Sequence, residues 1–185
     1  PLECCLDSET GHIKLVYETN ADERYNLYDY SYTSSNSKFS RDHWDSFAKD
    51  TTKKLGMTWP ESIIEIGSND GYLLQQYLKM GYSASGIDSS EYMTELANKR
   101  GVTTYCDTFS KETGERLAQE GVHADLVVAN NVFNHANDPL DFAVGVERIL
   151  HPRGTFVFEV PYWYNTIVDK RFDQIYHEHV SYFTV

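Results

Sequence analysis

The feature that most constrains this chain is a strand that hands over to a helix through a glycine-containing turn, Glu65-Ile66-Gly67-Ser68-Asn69-Asp70-Gly71. Ile63, Ile64 and Ile66 form a short β-branched run before it, and Leu73, Leu74, Tyr77 and Leu78 recur at helical spacing after it. Glycine at such a handover lets the backbone turn tightly and approach a ligand with no Cβ in the way. The alternation then repeats. Residues 84–88 read as a strand, followed by a helix through Met93, Leu96 and Ala97; residues 103–106 read as a strand, followed by a helix near Leu117. The uniformly apolar run 125–129 suits a central strand covered on both faces. Asp138-Pro139 opens a helix in the cap-then-proline order, carrying Phe142, Ala143, Val146, Ile149 and Leu150. Residues 152–154 read as a turn and 155–160 as a fifth strand. Five strands separated by helices predict a doubly wound, mostly parallel α/β sheet of Rossmann-like type, because parallel neighbours need a crossover connection.

Before this pattern, residues 1–36 are polar and rich in tyrosine and read as an arm or lid, while 37–185 form the main domain. Trp44, Phe47, Ala48, Thr51 and Leu55 place an amphipathic helix over 40–55, with Gly56 as its stop. At 185 residues, one compact domain is expected. The pattern ends soon after the fifth strand without a closing hairpin, which predicts a chain cut short at that end. With 28 acidic against 16 basic residues the net charge is -12, and no Lys/Arg stripe exists to neutralise phosphates, which argues against a nucleic-acid partner. No apolar stretch reaches membrane-spanning length and no basic segment leads into a signal core, so a soluble, cytoplasmic protein is expected. Cys4 and Cys5 are neighbours that would pair only with strain, and Cys106 falls in a strand read as buried, so no disulfide framework is expected.

The turn also narrows the ligand. A dinucleotide fingerprint wants glycine at 67, 69 and 72, and this chain has Gly67, Asn69 and Tyr72. The variant used by S-adenosylmethionine-dependent methyltransferases of class I, an acidic residue followed by alternate glycines, fits Glu65, Gly67 and Gly71 and departs only at Asn69. Asparagine tolerates positive φ, so that departure is mild. Asp88 ends the second strand, where a carboxylate accepts hydrogen bonds from ribose hydroxyls, and Asp107 follows the third, within reach of an adenine amino group. Ser68, Ser89 and Thr108 adjoin these positions, and Asn130-Asn131 completes the rim after the fourth strand. Taken alone, Asp88 or Asp107 reads more readily as a helix cap, and it is three features at consecutive strand ends that favour a cofactor.

Near the end, Tyr176-His177-Glu178-His179 gathers two imidazoles, a carboxylate and a phenol, a density that points to acid–base work. A zinc reading of His177 and His179 lacks a cysteine or third histidine nearby. His135, after the fourth strand, is placed where it could face the same cleft, although by itself it reads as a helix-start histidine with no chemical role. No metal is expected.

Three segments, 65–74 (EIGSNDGYLL), 130–135 (NNVFNH) and 172–183 (FDQIYHEHVSYF), together resemble the sugar C-methyltransferases that act on nucleotide-linked 4-keto-deoxysugars. The resemblance runs from the Tyr30-Ser31-Tyr32 arm to the end of the chain, and the last segment is its most specific part. It implies a class I methyltransferase sandwich, S-adenosylmethionine as cofactor with S-adenosylhomocysteine as product, and a small-molecule substrate, a nucleotide-linked sugar. It further implies that His179 removes the proton from sugar C3, that Glu178 orients it, and that Tyr176 holds the substrate or its enolate oxygen. His135 and one tyrosine of the pair Tyr30 and Tyr32 would line the same pocket. Members of the family often carry an N-terminal zinc module with paired cysteines, and the family has a further C-terminal domain. Here Ser8 stands where Cys5 would need its CxxC partner, so no structural zinc is expected.

Overall fold

The computed structural model describes residues 2–26, 32–58 and 61–184. A β-hairpin opens the chain, β1 (Cys4–Leu6) and β2 (Ile13–Leu15), followed by a short helix α1 (Ala21–Asn26) and a long one, α2 (Lys38–Leu55). Then come β3 (Ser62–Ile66), α3 (Tyr72–Lys79), β4 (Ser83–Asp88), α4 (Glu91–Lys99), β5 (Thr104–Cys106), α5 (Lys111–Gln119) and β6 (Ala124–Asn130). The chain closes with α6 (Pro139–Ile149), β7 (Leu150–Glu159), α7 (Trp163–Val168) and β8 (Ser181–Tyr182).

Strands β3 to β7 form one parallel sheet in the order β5-β4-β3-β6-β7. Period-two alternation splits its side chains between two cores. Ile64, Ile66, Val127 and Ala129 pack with Leu117 of α5 and with Phe142, Val146 and Ile149 of α6. Ile63, Leu126 and Val128 point the other way, onto Ala48 of α2, Leu73, Leu74 and Tyr77 of α3, and Ala97 of α4. Both faces of the sheet are therefore covered, the requirement that parallel strands impose. The expected caps are in place: Asp138 accepts from Leu140 N at 2.9 Å and Asp141 N at 3.0 Å, and Gly56 ends α2 at φ 63.

Two local expectations change. Residues 152–154 are not a turn before the fifth strand but part of β7, which starts at Leu150 opposite Ala124 and resumes at Thr155 opposite Leu126, the surplus residues bulging out. Cys106 lies in a strand as expected but is exposed, because β5 is the outermost strand of the sheet. All three cysteines are free thiols.

The N-terminal hairpin is tied to the far end of the chain. A second, antiparallel sheet runs β1-β2-β8, with Ile13 opposite Tyr182, and Leu15 N donates to Val180 O at 2.8 Å. This pairing holds α1 across the carboxyl edge of the parallel sheet, next to residues 133–137. Among the described residues, no helix is long and apolar enough to cross a membrane.

Candidate active site

A cavity of about 820 Å³ opens at the carboxyl ends of β3, β4 and β6. That is toward the upper end of the roughly 300–1,000 Å³ of small-molecule pockets, and it sits where open α/β sheets bind ligands. Its two ends differ in chemistry.

The first end is built by the turn from β3 into α3. Gly67 (φ 70), Asn69 (φ 50) and Gly71 (φ 74) all take left-handed backbone, so asparagine here does what the motif asks of glycine. A Cβ on Gly67 would lie 2.1 Å from Val132 Cγ2, so the close approach of the loop after β6 needs glycine. Asp88 accepts from Asn69 N at 2.7 Å and from Ser90 N at 2.9 Å, locking the turn to the end of β4. Burial pushes the Asp88 carboxyl up, against these two N–H donors. Burial also pushes Glu65 well above the usual carboxylate range, with the Asp88 and Asp70 charges adding to the effect. Asp70 behaves oppositely: burial raises it, but the Ser34 and Ser35 hydroxyls and Arg100, at 2.7 Å, outweigh burial and hold it low. Glu65 Oε2, Ser68 Oγ and both amide atoms of Asn130 are buried with no hydrogen-bond partner among the described residues. Polar atoms left in that state are costly unless a ligand completes them.

Of the residues expected around a cofactor, Glu65, Gly67, Ser68, Asn69, Asp88, Ser89, Asp107, Thr108, Asn130 and Asn131 line the cavity. Gly71 does not: a Cβ there would meet Ala97 Cβ at 3.1 Å and Val102 at 3.2 Å, inside the core beneath α3. Asp107 pairs with Arg116 at 2.6 Å while still reaching the rim.

At the other end the chain runs through a 3-10 turn, Phe172–Gln174, into the histidine cluster. His179 is buried, and its Nδ1 lies 2.8 Å from the Gln174 carbonyl, which can only accept. The proton is therefore on Nδ1, and the lone pair on Nε2 accepts from the Tyr176 hydroxyl at 2.7 Å. Burial lowers the His179 pKa, partly offset by Gln174, and raises that of Tyr176 to about 12, with Glu178 and Tyr32 adding. The His135 ring stacks against His179 with centroids 5.3 Å apart. Burial, then the neighbouring His179 and Arg24, push His135 down to about 3. Glu178 lines the cavity, raised by burial, but the group that fixes His179 is the Gln174 carbonyl. Tyr32 also lines the cavity, whereas Tyr30 lies outside the described residues. His177 is exposed and not part of the lining.

Sequence reasoning missed Arg24, Tyr25 and Gln174. Tyr25 reaches His135 Nδ1 at 2.8 Å, and Arg24 donates to the His135 carbonyl at 2.7 Å. Both sit on the six-residue helix α1, too short for a periodic signal, and Gln174 acts through its backbone.

A parallel five-stranded sheet with this turn and this cavity defines a class I methyltransferase fold. Solved structures agree on the fold: the plantazolicin methyltransferase BpumL in complex with a pentazolic desmethylPZN analog and SAH superposes with a TM-score of 0.56 at 17% identity, covering 77% of this chain and 56% of that one. A SAM-dependent methyltransferase from Geobacter sulfurreducens in complex with S-adenosyl-L-homocysteine gives 0.52 at 18% identity, covering 63% and 48%. The family profile described as "Methyltransferase domain" matches residues 37–185, and the chain belongs to that family of S-adenosylmethionine-dependent methyltransferases. Among curated relatives, the C-methyltransferase NovU of Streptomyces niveus is 33% identical over 156 residues, 84% of this chain and 37% of that protein. A ubiquinone biosynthesis O-methyltransferase of Roseobacter denitrificans is 28% identical over 96 residues, 50% of this chain and 38% of that protein. The chain thus spans well under half the length of these relatives.

Proposed function

We propose that this domain methylates the carbon beside the keto group of a nucleotide-linked deoxysugar, with His179 as general base. The observation that carries the reading is His179 itself: a buried imidazole whose proton is tied up on Nδ1, leaving the Nε2 lone pair as its acceptor, on a residue that lines the same cavity as Glu65, Asp88 and Asn130. The likeness to a C-methyltransferase over most of this chain supports it.

The residues present fit S-adenosylmethionine. Its positive charges suit an end where burial pushes two carboxyls, Glu65 and Asp88, above their usual range. Asp88 and Ser89 would hold the ribose, Asp107 and Thr108 the adenine, and Glu65, Ser68, Asn130 and Asn131 the methionyl portion. Bound there, the cofactor supplies an electrophilic methyl group.

The chain's own residues make the nucleophile. His179 Nε2 takes the proton from the carbon next to the carbonyl; the C–H electron pair becomes the carbon–carbon double bond of an enolate, and the carbonyl oxygen takes the charge. A proton in that position is acidic enough for imidazole when the oxygen is stabilised. Tyr176, which covers Nε2, turns its hydroxyl from the base to the substrate oxygen as the C–H bond replaces it. Glu178 and Tyr32 line the path that the sugar would occupy.

The test is methyl transfer from labelled S-adenosylmethionine to a panel of nucleoside-diphosphate-linked 4-keto-deoxyhexoses, with the new carbon–methyl bond located by NMR. Methylation of phenolic hydroxyls, with the keto-sugars untouched, would replace this reading with O-methylation.

A further inference from the structure

We propose that Asn69, which stands where the motif has glycine, is a positioning residue that staples residues 32–35 to the cofactor turn. Asp70 is the second anchor, and filling the cofactor end thereby fixes Tyr32 at the methyl-acceptor end. The inference rests on the reading of the cavity's second end as the acceptor site, and it adds a link between that end and the first.

Asn69 does two separate things. Its backbone takes the left-handed conformation, φ 50, and its N–H donates to Asp88 Oδ2 at 2.7 Å. Glycine would serve both purposes with less strain. The side chain does what glycine could not. Its Oδ1 accepts from Ser34 N at 2.8 Å and its Nδ2 donates to the Tyr32 carbonyl at 3.0 Å, and only one orientation of the amide satisfies that pair. The fully buried Asp70 side chain extends the connection. One of its carboxylate oxygens accepts from Ser34 Oγ at 2.6 Å; the other accepts from Ser35 Oγ and faces Arg100 at 2.7 Å. Charge-assisted bonds of this kind are the strong ones. Asp70 is not part of the cavity lining, so its carboxylate serves the segment and not a ligand.

The segment so held is part of the cavity wall. Tyr32 and Ser34 line it, and the Ser34 carbonyl accepts from the indole of Trp44, another lining residue, at 3.2 Å. Residue 69 therefore touches the cofactor end through Asp88 and the opposite wall through residues 32 and 34. A ligand that contacts the turn and Asp88 narrows the freedom of Asn69, and a segment docking on an ordered amide has less ordering left to do. The acceptor then meets Tyr32 already in place, which removes a penalty on its apparent affinity.

Hydrogen exchange at the Ser34 amide, followed by NMR with and without S-adenosylhomocysteine, reads the staple with no acceptor present. The cofactor product should slow that exchange in the wild type. Asn69→Gly removes the side chain but keeps the N–H to Asp88 and suits φ 50, so the turn should still fold. Ser34 should then exchange about tenfold faster, the scale of one or two lost hydrogen bonds, and should no longer respond to S-adenosylhomocysteine. The Gly67 amide, which donates to Ile87 O at 2.7 Å, should stay slow. In turnover with a nucleoside-diphosphate-linked 4-keto-deoxyhexose, KM for the sugar should rise by a similar factor, with kcat moving less. The double variant Ser34→Ala, Ser35→Ala leaves the turn's own sequence intact and Asp70 paired with Arg100, and it should raise KM in the same direction. Wild-type exchange at Ser34 in Asn69→Gly, or no slowing by S-adenosylhomocysteine in the wild type, overturns the proposal. So does a KM effect in Asn69→Gly that the serine pair lacks, since it would come from a looser turn. If the exchange results hold but only phenols are methylated, the function reading falls and the staple stands.

Discussion

The two ends of the cavity are both desolvated, and burial acts on them with opposite sign. At the turn after β3 it pushes the Glu65 and Asp88 acids up, toward their neutral forms; at the histidine cluster it pushes the His135 and His179 bases down, also toward neutral forms. The first end gains from a cation, which would let its carboxyls ionise. The second gains nothing from charge until a proton moves. A site divided in this way can bind and react through separate residues, and that separation is open to test.

The largest effect is expected at the reacting end. His179→Gln should lower the rate of methylation by about 10²–10⁴-fold, the contribution of a positioned acid–base group, and leave cofactor affinity within a factor of about two. Solvent exchange sharpens the point: with S-adenosylhomocysteine in deuterated water, the wild type should exchange the C3 proton of a 4-keto sugar nucleotide and the variant should not. Wild-type exchange in the variant would move the base elsewhere, to Tyr176 or His135.

Asp88 should show the converse. Loss of a charge-assisted hydrogen bond to the ribose costs about 1.5–3 kcal/mol, so Asp88→Ala should weaken cofactor binding by roughly tenfold or more by calorimetry, with the rate at saturation little changed. Because Asp88 also accepts from Asn69 N and Ser90 N, the variant should melt at a lower temperature as well. An unchanged dissociation constant with a lowered melting temperature would reduce Asp88 to a clamp on the turn.

The opposite shifts also predict opposite pH dependences, a smaller effect. Glu65 is raised above 4.5, so its contribution to stability is full below 4.5 and lost as pH rises through its folded value. Glu65→Gln should therefore raise the melting temperature of the cofactor-free protein at neutral pH. For His135, lowered from 6.5 to about 3, the contribution is full above 6.5 and lost as pH falls from there toward 3. His135→Gln should flatten the acid side of the stability profile and leave the neutral side alone. Cofactor binding should release protons as Glu65 ionises, seen as a buffer-dependent binding enthalpy; equal enthalpies in buffers of different ionisation heat would show that Glu65 is already charged.

The same division explains what the sequence made legible. The sheet and its turn are written locally: alternation in 63–66 and 125–129 predicts the two-sided core, and the glycine pattern predicts left-handed backbone that Gly67 and Asn69 adopt. Ten of the eleven residues expected around the cofactor reach the cavity, because strand ends share one edge by topology. The reacting end is assembled from distant pieces. The hairpin pairing β2 with β8 brings α1 to His135, and no local pattern announces that Tyr25 will find a partner 110 positions away. Gln174 was invisible for another reason, since its backbone oxygen does the work and any residue supplies one.

Gly71 is the residue on which local pattern and packing disagree, and it carries the smallest predicted effect on function. The motif places it among cofactor ligands, where a side chain would occupy ligand space. In the fold its φ is 74 and a Cβ would point at Ala97 and Val102, 3.1 and 3.2 Å away, so the glycine serves the passage into α3 and the packing of α4 beneath it. Left-handed backbone costs a residue with a Cβ about 1–2 kcal/mol, and the tight contact adds to that. Gly71→Ala should therefore unfold at a lower denaturant concentration, while the folded fraction binds S-adenosylmethionine within about twofold of wild type. Gly67→Ala is the control in the same turn: its Cβ would lie 2.1 Å from Val132 Cγ2, beside the cavity itself, so both stability and affinity should fall. If Gly71→Ala keeps its stability and loses the cofactor, the turn contacts the ligand through its far end as well, and the boundary between binding and packing in this loop has to move past residue 71.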